Sequence, residues 1–199
     1  MRISLYEILI QPIPETPLLA GQLAQTYQIR QIKPGDPELD LMPARPEIKV
    51  SRFAQNAMCL GTFKKNKLVA YIWLAFGSYE EDEARCTFVL PPHAVFDFDL
   101  YVMPECRMTL AFAGTWHGAN EFLLTRGIRN SFSRLTRTNI RSRRAHKRLG
   151  AARIAHTLFV KAWKLELMLA SIAPYVHLSL TERNRVHLNL REDATKSAL

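Results

Sequence analysis

Apolar positions along the chain switch between a period of two and a helical period, and the switches divide it into elements. Residues 3 to 10, ISLYEILI, form an apolar run with β-branched members and predict an edge strand. Seven of the eleven prolines fall between Pro12 and Pro46, which limits regular structure there. A helix between roughly Pro17 and Arg30 fits, because proline is tolerated in a first turn and Leu, Ala and Gln follow it. The segment PGDPELDLMPARP predicts an extended loop lying over the body. From Ala57, AMCLGTFKKNKLVAYIWLAF holds two apolar runs separated by Lys64-Lys65-Asn66-Lys67, a hairpin signal. ARCTFVLPPHAVFDFDLYV predicts two further strands around Pro91 and Pro92.

Between Met108 and Arg126 the apolar positions Phe112, Trp116, Ala119, Phe122 and Leu123 recur at helical spacing, and Gly127 ends the helix. NSFSRLTRT predicts a short strand and NIRSRRAHKRLG a short helix stopped by Gly150. The apolar region from Ile154 to Ala173 predicts two core strands, followed by a polar tail. This order predicts a mixed α/β fold of the α+β kind: a central mixed, mostly antiparallel sheet flanked by helices. One domain is expected overall. Residues 1–56 supply a strand, a helix and a proline-rich loop packed on the body, 57–187 the core, and 188–199 the tail. No internal repeat is visible.

At 199 residues and 48% apolar composition, the chain can build a sizeable core. His156, Lys161, Lys164 and Glu166 interrupt the longest apolar region, which excludes a spanning helix there. The three cysteines, Cys59, Cys86 and Cys106, are odd in number and widely spaced, so neither a disulfide framework nor a metal cage is expected. With no secretory signal opening the chain, the expected compartment is the cytoplasm.

A formal net charge of +9 points to anionic partners. The charge is sorted by segment: Arg126 to Arg153 holds ten Lys or Arg and no carboxylate, whereas Glu80, Glu81, Asp82 and Glu83 form an acidic run. The stretch TRTNIRSRRAHKRLGAAR is therefore a nucleic-acid arm, a solvated helix face or a site for a phosphorylated ligand. Aromatic residues are not interleaved with it as a single-strand stacking platform requires, which disfavours nucleic acid. Arg141, Arg143, Arg144, Lys147 and Arg148 surround more than one face of the helix. Some are solvated, and others have the forked geometry that grips phosphate.

Asp97 and Asp99 lie on one predicted strand and share a face if it is unbulged. They are candidates for a general base, or simply solvent-facing or arginine-paired carboxylates. His146 titrates near neutrality and is a candidate acid, or else a surface histidine on a cationic helix. Asn139 is the natural N-cap. The Glu80 to Glu83 run is a cation-recognising patch or an exposed loop, and Trp73, Trp116 and Trp163 read as core. Cys86 and Cys106 have no adjacent partner that would make a thiol nucleophile.

Two of these pieces resemble the GCN5-related N-acetyltransferase (GNAT) superfamily. FDFDLYVMPECR is similar to that family's fourth strand, with its acidic residue, Leu, aromatic, Val, one residue, Pro, two residues and Arg. Asn139, Ser142, His146 and Gly150 fall at the offsets of the family's Asn, small residue, Tyr and Gly. With the hairpin at 57–76, the resemblance covers roughly residues 57 to 170. It implies an acyltransferase that moves an acyl group from an acyl thioester, acyl-CoA or acyl carrier protein, directly to an amine, without a metal. Asp99, and Asp97 beside it, would then be the base and His146 the general acid in place of Tyr. Leu100, Tyr101 and Val102 would pair with pantetheine amides where the fourth and fifth strands splay. Arg107 would open the pyrophosphate turn, and Asn139, Ser142, Arg141, Arg143 and Arg144 would complete the donor site. Leu110 and Phe112 stand where the turn would have glycines, and Ala151 replaces an aromatic. Together with the basic surface, that departure brings in a donor borne on an acidic carrier protein. The rival is a catalytically silent member of the fold that binds nucleic acid or an acidic protein through the arginine helix.

Overall fold

The structure is a computed structural model and describes residues 1–191. In chain order its elements are β1 (Arg2–Pro12), α1 (Gln22–Gln25), β2 (Gln28–Ile32), α2 (Pro46–Ala54), β3 (Met58–Lys64), β4 (Lys67–Phe76), β5 (Ser78–Glu80), β6 (Cys86–Val89), β7 (Ala94–Val102), α3 (Ala111–Leu124), β8 (Asn130–Thr136), α4 (Ile140–Arg148), β9 (Ala152–Ala162), β10 (Leu165–Ala170), β11 (Val176–Ser179) and β12 (Val186–Asn189). Short 3-10 turns occupy Pro37–Leu41 and Pro104–Cys106. The architecture is mixed α/β, with mostly antiparallel strand pairing and flanking helices. Two compact units emerge: Met1–Pro12, Phe76–Phe96 and the chain from Asn130 on form the first, and Ile13–Ala75 with Asp97–Arg129 form the second. The boundaries expected at 56 and 187 follow the chain, whereas each unit collects segments distant in sequence.

In the first unit the strands run β11-β10-β9-β1-β8, antiparallel throughout. The sequence predicts an edge position for β1, but the strand is internal. Ile8 lies opposite Arg134 of β8 on one side and Ala155 of β9 on the other. Tyr6 to Gln11 are buried without interruption, so both faces of this strand are covered as well as both its edges. A second small sheet, β12-β6-β5, is parallel between β12 and β6 and antiparallel between β5 and β6. The start of the expected polar tail is therefore a strand, and residues 192–199 lie outside the described residues.

Two readings of individual residues change here. Trp163 is not core: it is 87% exposed with φ +55 in the tight turn between β9 and β10, a backbone position set by the hairpin. The acidic run is not an exposed loop throughout. Glu81 is buried and paired with Arg134 at 2.8 Å, and its Oε2 accepts the N–H groups of Glu83 and Ala84. Arg134 in turn lies 3.9 Å over the ring of Tyr6. A carboxylate held by a cation and two amides is structural, so it is not free to recognise an amine.

In the second unit the strands run β7-β4-β3-β2. The predicted hairpin is present: Lys64 pairs with Lys67 across Lys65 and Asn66, both at positive φ, as a two-residue turn between twisted strands demands. The expected helix from Pro17 shrinks to one turn, Gln22–Gln25, with β2 following. The expected loop PGDPELDLMPARP is present, with one 3-10 turn at Pro37–Leu41, and leads into an unexpected helix α2, which Pro46 opens from the first turn and Glu47 supports at its N-terminal dipole.

Helix α3 lies close against this unit because it carries glycines where it meets its neighbours. A Cβ added at Gly118 would come within 1.9 Å of Ile29 Cγ1, and one at Gly114 within 2.5 Å of the Tyr27 ring. Gly118→Ala is thus expected to lower stability by about 1–3 kcal/mol despite the better helix propensity of alanine. In a denaturant-unfolding double-mutant cycle, Ile29→Ala should recover most of that loss. Additive losses would show that the two positions do not collide.

Candidate functional site

The residues singled out from the sequence fall into two groups, one in each unit. In the second unit they gather on β7. Asp99 departs from strand geometry with φ +47, a left-handed conformation that aspartate tolerates better than most residues. The alternation that would put Asp97 and Asp99 on one face of an unbulged strand is therefore broken. Asp97 is only 2% exposed, while the Asp99 side chain is 29% exposed.

The Asp99 carboxylate meets Arg52 of α2, with Oδ2 2.5 Å from Nη1. Arg52 is itself buried, and its guanidinium lies 5.2 Å from the Trp73 ring centroid and 5.1 Å from that of Phe98. A guanidinium between aromatic rings keeps favourable contacts after losing water, which lets it serve as a fixed cationic partner. Tyr71 is buried beside this pair and stacks on Tyr101 at 5.6 Å between centroids. Burial, and then the Asp99 charge, push the Tyr71 phenol well above its ordinary pKa, so it stays protonated. Arg52 and Tyr71 escaped the sequence reading. The proline-opened, glutamate-then-arginine pattern PEIKVSR was the signal that could have revealed α2 and with it Arg52.

Arg107 follows the strand and lies 5.6 Å over the Tyr101 ring. The turn behind it is partly closed by its own atoms. The N–H groups of Cys106, Arg107 and Thr109 donate to the carbonyls of Met103, Pro104 and Cys106, and that of Ala111 donates to Thr109 Oγ1. Leu110 caps α3 with a negative φ. Of the amides beyond Arg107, those of Thr109 and Ala111 are thus already engaged within the turn. This turn offers a phosphate the Arg107 guanidinium rather than an open nest.

In the first unit the residues gather on α4. Asn139 caps the helix, its Oδ1 accepting from Ser142 N–H at 3.1 Å, so the Ser142 amide is used in the cap. Gly150 ends the helix at φ +83. His146 is neither a surface residue nor a poised acid. It is 3% exposed, and its Nδ1 sits 3.1 Å from Gln11 Oε1 of β1, an acceptor, so Nδ1 carries the hydrogen. Burial pushes its pKa down to about 4, leaving a neutral imidazole at neutral pH with no imidazolium proton to give. Arg143 bonds Glu7 at 2.8 Å through Nε, and Arg141 is exposed. Among the described residues no group of His, Cys, Asp or Glu could hold a metal, and no helix is long and apolar enough to cross a membrane.

No family model matches the chain, and no curated protein matches its sequence. Solved structures match by fold. A tandem GNAT protein from the clavulanic acid biosynthesis pathway superposes with a TM-score of 0.53 at 14% identity, over 77% of this chain and 51% of that one. A protein assigned to the GNAT family of acetyltransferases from Novosphingobium aromaticivorans gives 0.50 at 13% identity, over 79% and 63%. A functionally unknown conserved protein from Staphylococcus epidermidis gives 0.51 at 10%, over 79% and 60%. The chain spans between half and two thirds of the length of these proteins. Identities this low establish the fold alone, and that fold is the GNAT fold.

The buried imidazole has a measurable consequence. Its pKa is lower in the folded chain than the ordinary 6.5, so between pH 6.5 and about 4 the unfolded chain binds a proton that the native chain does not. Stability must fall as pH falls through that window, by about 3 kcal/mol in total. In urea titrations across the window, His146→Gln should show an acid limb flatter than wild type by about that amount. An unchanged limb would mean that the imidazole takes up protons as freely in the native chain as in the unfolded one.

Proposed function

We propose that the chain is an N-acyltransferase that moves an acyl group from a phosphopantetheine thioester to an amine. The observation that carries this reading is Asp99, a partly exposed carboxylate at a left-handed break in β7, oriented by a buried arginine within a GNAT fold. An amine arrives as an ammonium, and its proton must leave before nitrogen can attack the thioester carbon. Asp99 accepts that proton, directly or through water. The C–N bond then forms, the C–S bond breaks and the sulfur departs as a thiolate. Because a thiol has a pKa of about 8.5, the thiolate can leave unassisted and then take up, through water, the second proton that the nitrogen sheds as the amide forms. The scheme asks nothing of His146, in keeping with its neutral, buried state. Arg52 holds the carboxylate in place, and Tyr71 with Tyr101 walls the site.

We assign the backbone of Leu100 to Val102 to the amides of the pantetheine arm. The partly closed turn, with Leu110 and Phe112 where glycines would stand, favours a donor with a single phosphate at Arg107, as on a carrier protein, over the pyrophosphate of coenzyme A. That same closure supports a second reading, a catalytically silent GNAT-fold protein that binds an acidic partner.

Transfer assays with acyl-coenzyme A and acyl carrier protein against a panel of amines, read by product mass, decide between them. The expected result is amide product, faster from the carrier-borne donor. Asp99→Asn should slow transfer by roughly 10²-fold or more while donor affinity holds. Because that variant leaves Arg52 buried without its charge partner, Asp99→Asn combined with Arg52→Gln serves as the folded control and should be equally slow. Absence of transfer from either donor to every amine would establish the silent reading instead.

A further inference from the structure

The first unit contains a cavity of about 480 Å³ lined by Glu7 and Leu9 of β1, Ile140, Arg143, Arg144 and Lys147 of α4, and Ala151 with Arg153 beyond it. The helix residues are spaced by three and four, so α4 turns one continuous face into the cavity. Four cations against one carboxylate leave the wall three charges positive. Glu7 does not offset them freely. It is 3% exposed and committed to Arg143 at 2.8 Å and Arg153 at 3.6 Å, which anchors those two guanidinium groups from below. Arg143 is held further by a 3.4 Å contact from Nη1 to the Arg137 carbonyl. Arg144 and Lys147, one turn apart, are exposed and make no ion pair among the described residues.

We infer that this cavity is a binding site for a small organic phosphate, a phosphate ester whose organic part is apolar. The charge argues for a ligand carrying at least two negative charges, because a monocarboxylate would leave the wall strongly positive. The concave shape focuses the field of the four cations on one volume, unlike a convex solvated helix face. Leu9, Ile140 and the Ala151 methyl give an ester group apolar surface to cover, which bare phosphate cannot use. The volume falls within the range of small-molecule pockets and is too small for a folded partner. Arginines fixed by a buried carboxylate lose little freedom when they bind, and the two unengaged cations supply the charge still unmatched. None of its residues lies in the Asp99 cluster or the Arg107 turn, and Arg143 and Arg144, which the resemblance would give to the acyl donor, here serve this cavity instead.

Phenyl phosphate is a suitable probe, with inorganic phosphate and phenol as its separated halves. Calorimetry and thermal shift on the full chain should show saturable, salt-sensitive binding of phenyl phosphate, with roughly tenfold or weaker affinity for inorganic phosphate and none for phenol. Arg144→Gln with Lys147→Gln replaces two exposed, unpaired side chains, so the fold persists, and it should weaken phenyl phosphate by about tenfold or more. Arg144→Lys should retain most of the affinity. Undiminished binding in the double variant, or none to wild type at millimolar probe, would overturn the assignment.

Discussion

A carboxylate taken out of water must be met by a cation or by backbone amides, and that requirement organises both units of this molecule. Glu81 is met by Arg134 and two N–H groups, and burial still raises its pKa. Glu166, also buried, accepts the Arg85 amide at 2.6 Å, and the Arg85 side chain reaches the Lys164 carbonyl and Glu182. Glu7 is met by Arg143 and Arg153, and Asp99 by Arg52. In each case the pair joins segments far apart in sequence. Such pairs add little net stability, but losing one partner leaves an uncompensated charge, so they specify which segments must meet. The surplus of arginine in a +9 chain is therefore partly internal.

The same pairing explains why some of the fold was legible in the sequence and some was not. Local signals carried well: the Lys65-Asn66 turn, the helical spacing from Phe112 to Leu123, the Asn139 cap and the Gly150 stop each act within a few residues. What failed depends on partners that sequence does not reveal. An apolar run such as ISLYEILI suits an edge or a centre, and only the two ladders of β1 decide. Helix α2 hid behind proline density, so Arg52 could not be matched with Asp99. The strand motif located Asp99 correctly on β7 but could not show its left-handed backbone, because aspartate adopts both conformations. His146 sits on a helix whose other polar residues, Ser142 aside, are cationic, and nothing local distinguishes the one position that turns inward to Gln11.

Helix α4 shows how a segment with almost no apolar content can still be anchored. Its mean composition would leave it solvated, yet it docks through a neutral histidine amid cations and through one arginine clamped to a buried glutamate. Both contacts land on β1, at Gln11 and Glu7, two positions four residues apart on the same strand face. Polar anchoring of this kind leaves the rest of the helix free to present charge, and the cationic cavity beside it follows from that division.

The placement of β1 also sets an order of events on the ribosome. This strand emerges well before its two ladder partners, which begin only at Asn130 and Ala152. At ordinary elongation rates the interval is on the order of ten seconds. For that time an apolar strand with two open edges has no native neighbour, a state that chaperones and competing strand edges both recognise. All segments of the second unit have been synthesised by Arg129, before the first unit can close. Strand β1 is thus built in last, slotting between two strands made long after it, and the slow, non-local step of folding waits for segments more than a hundred residues downstream.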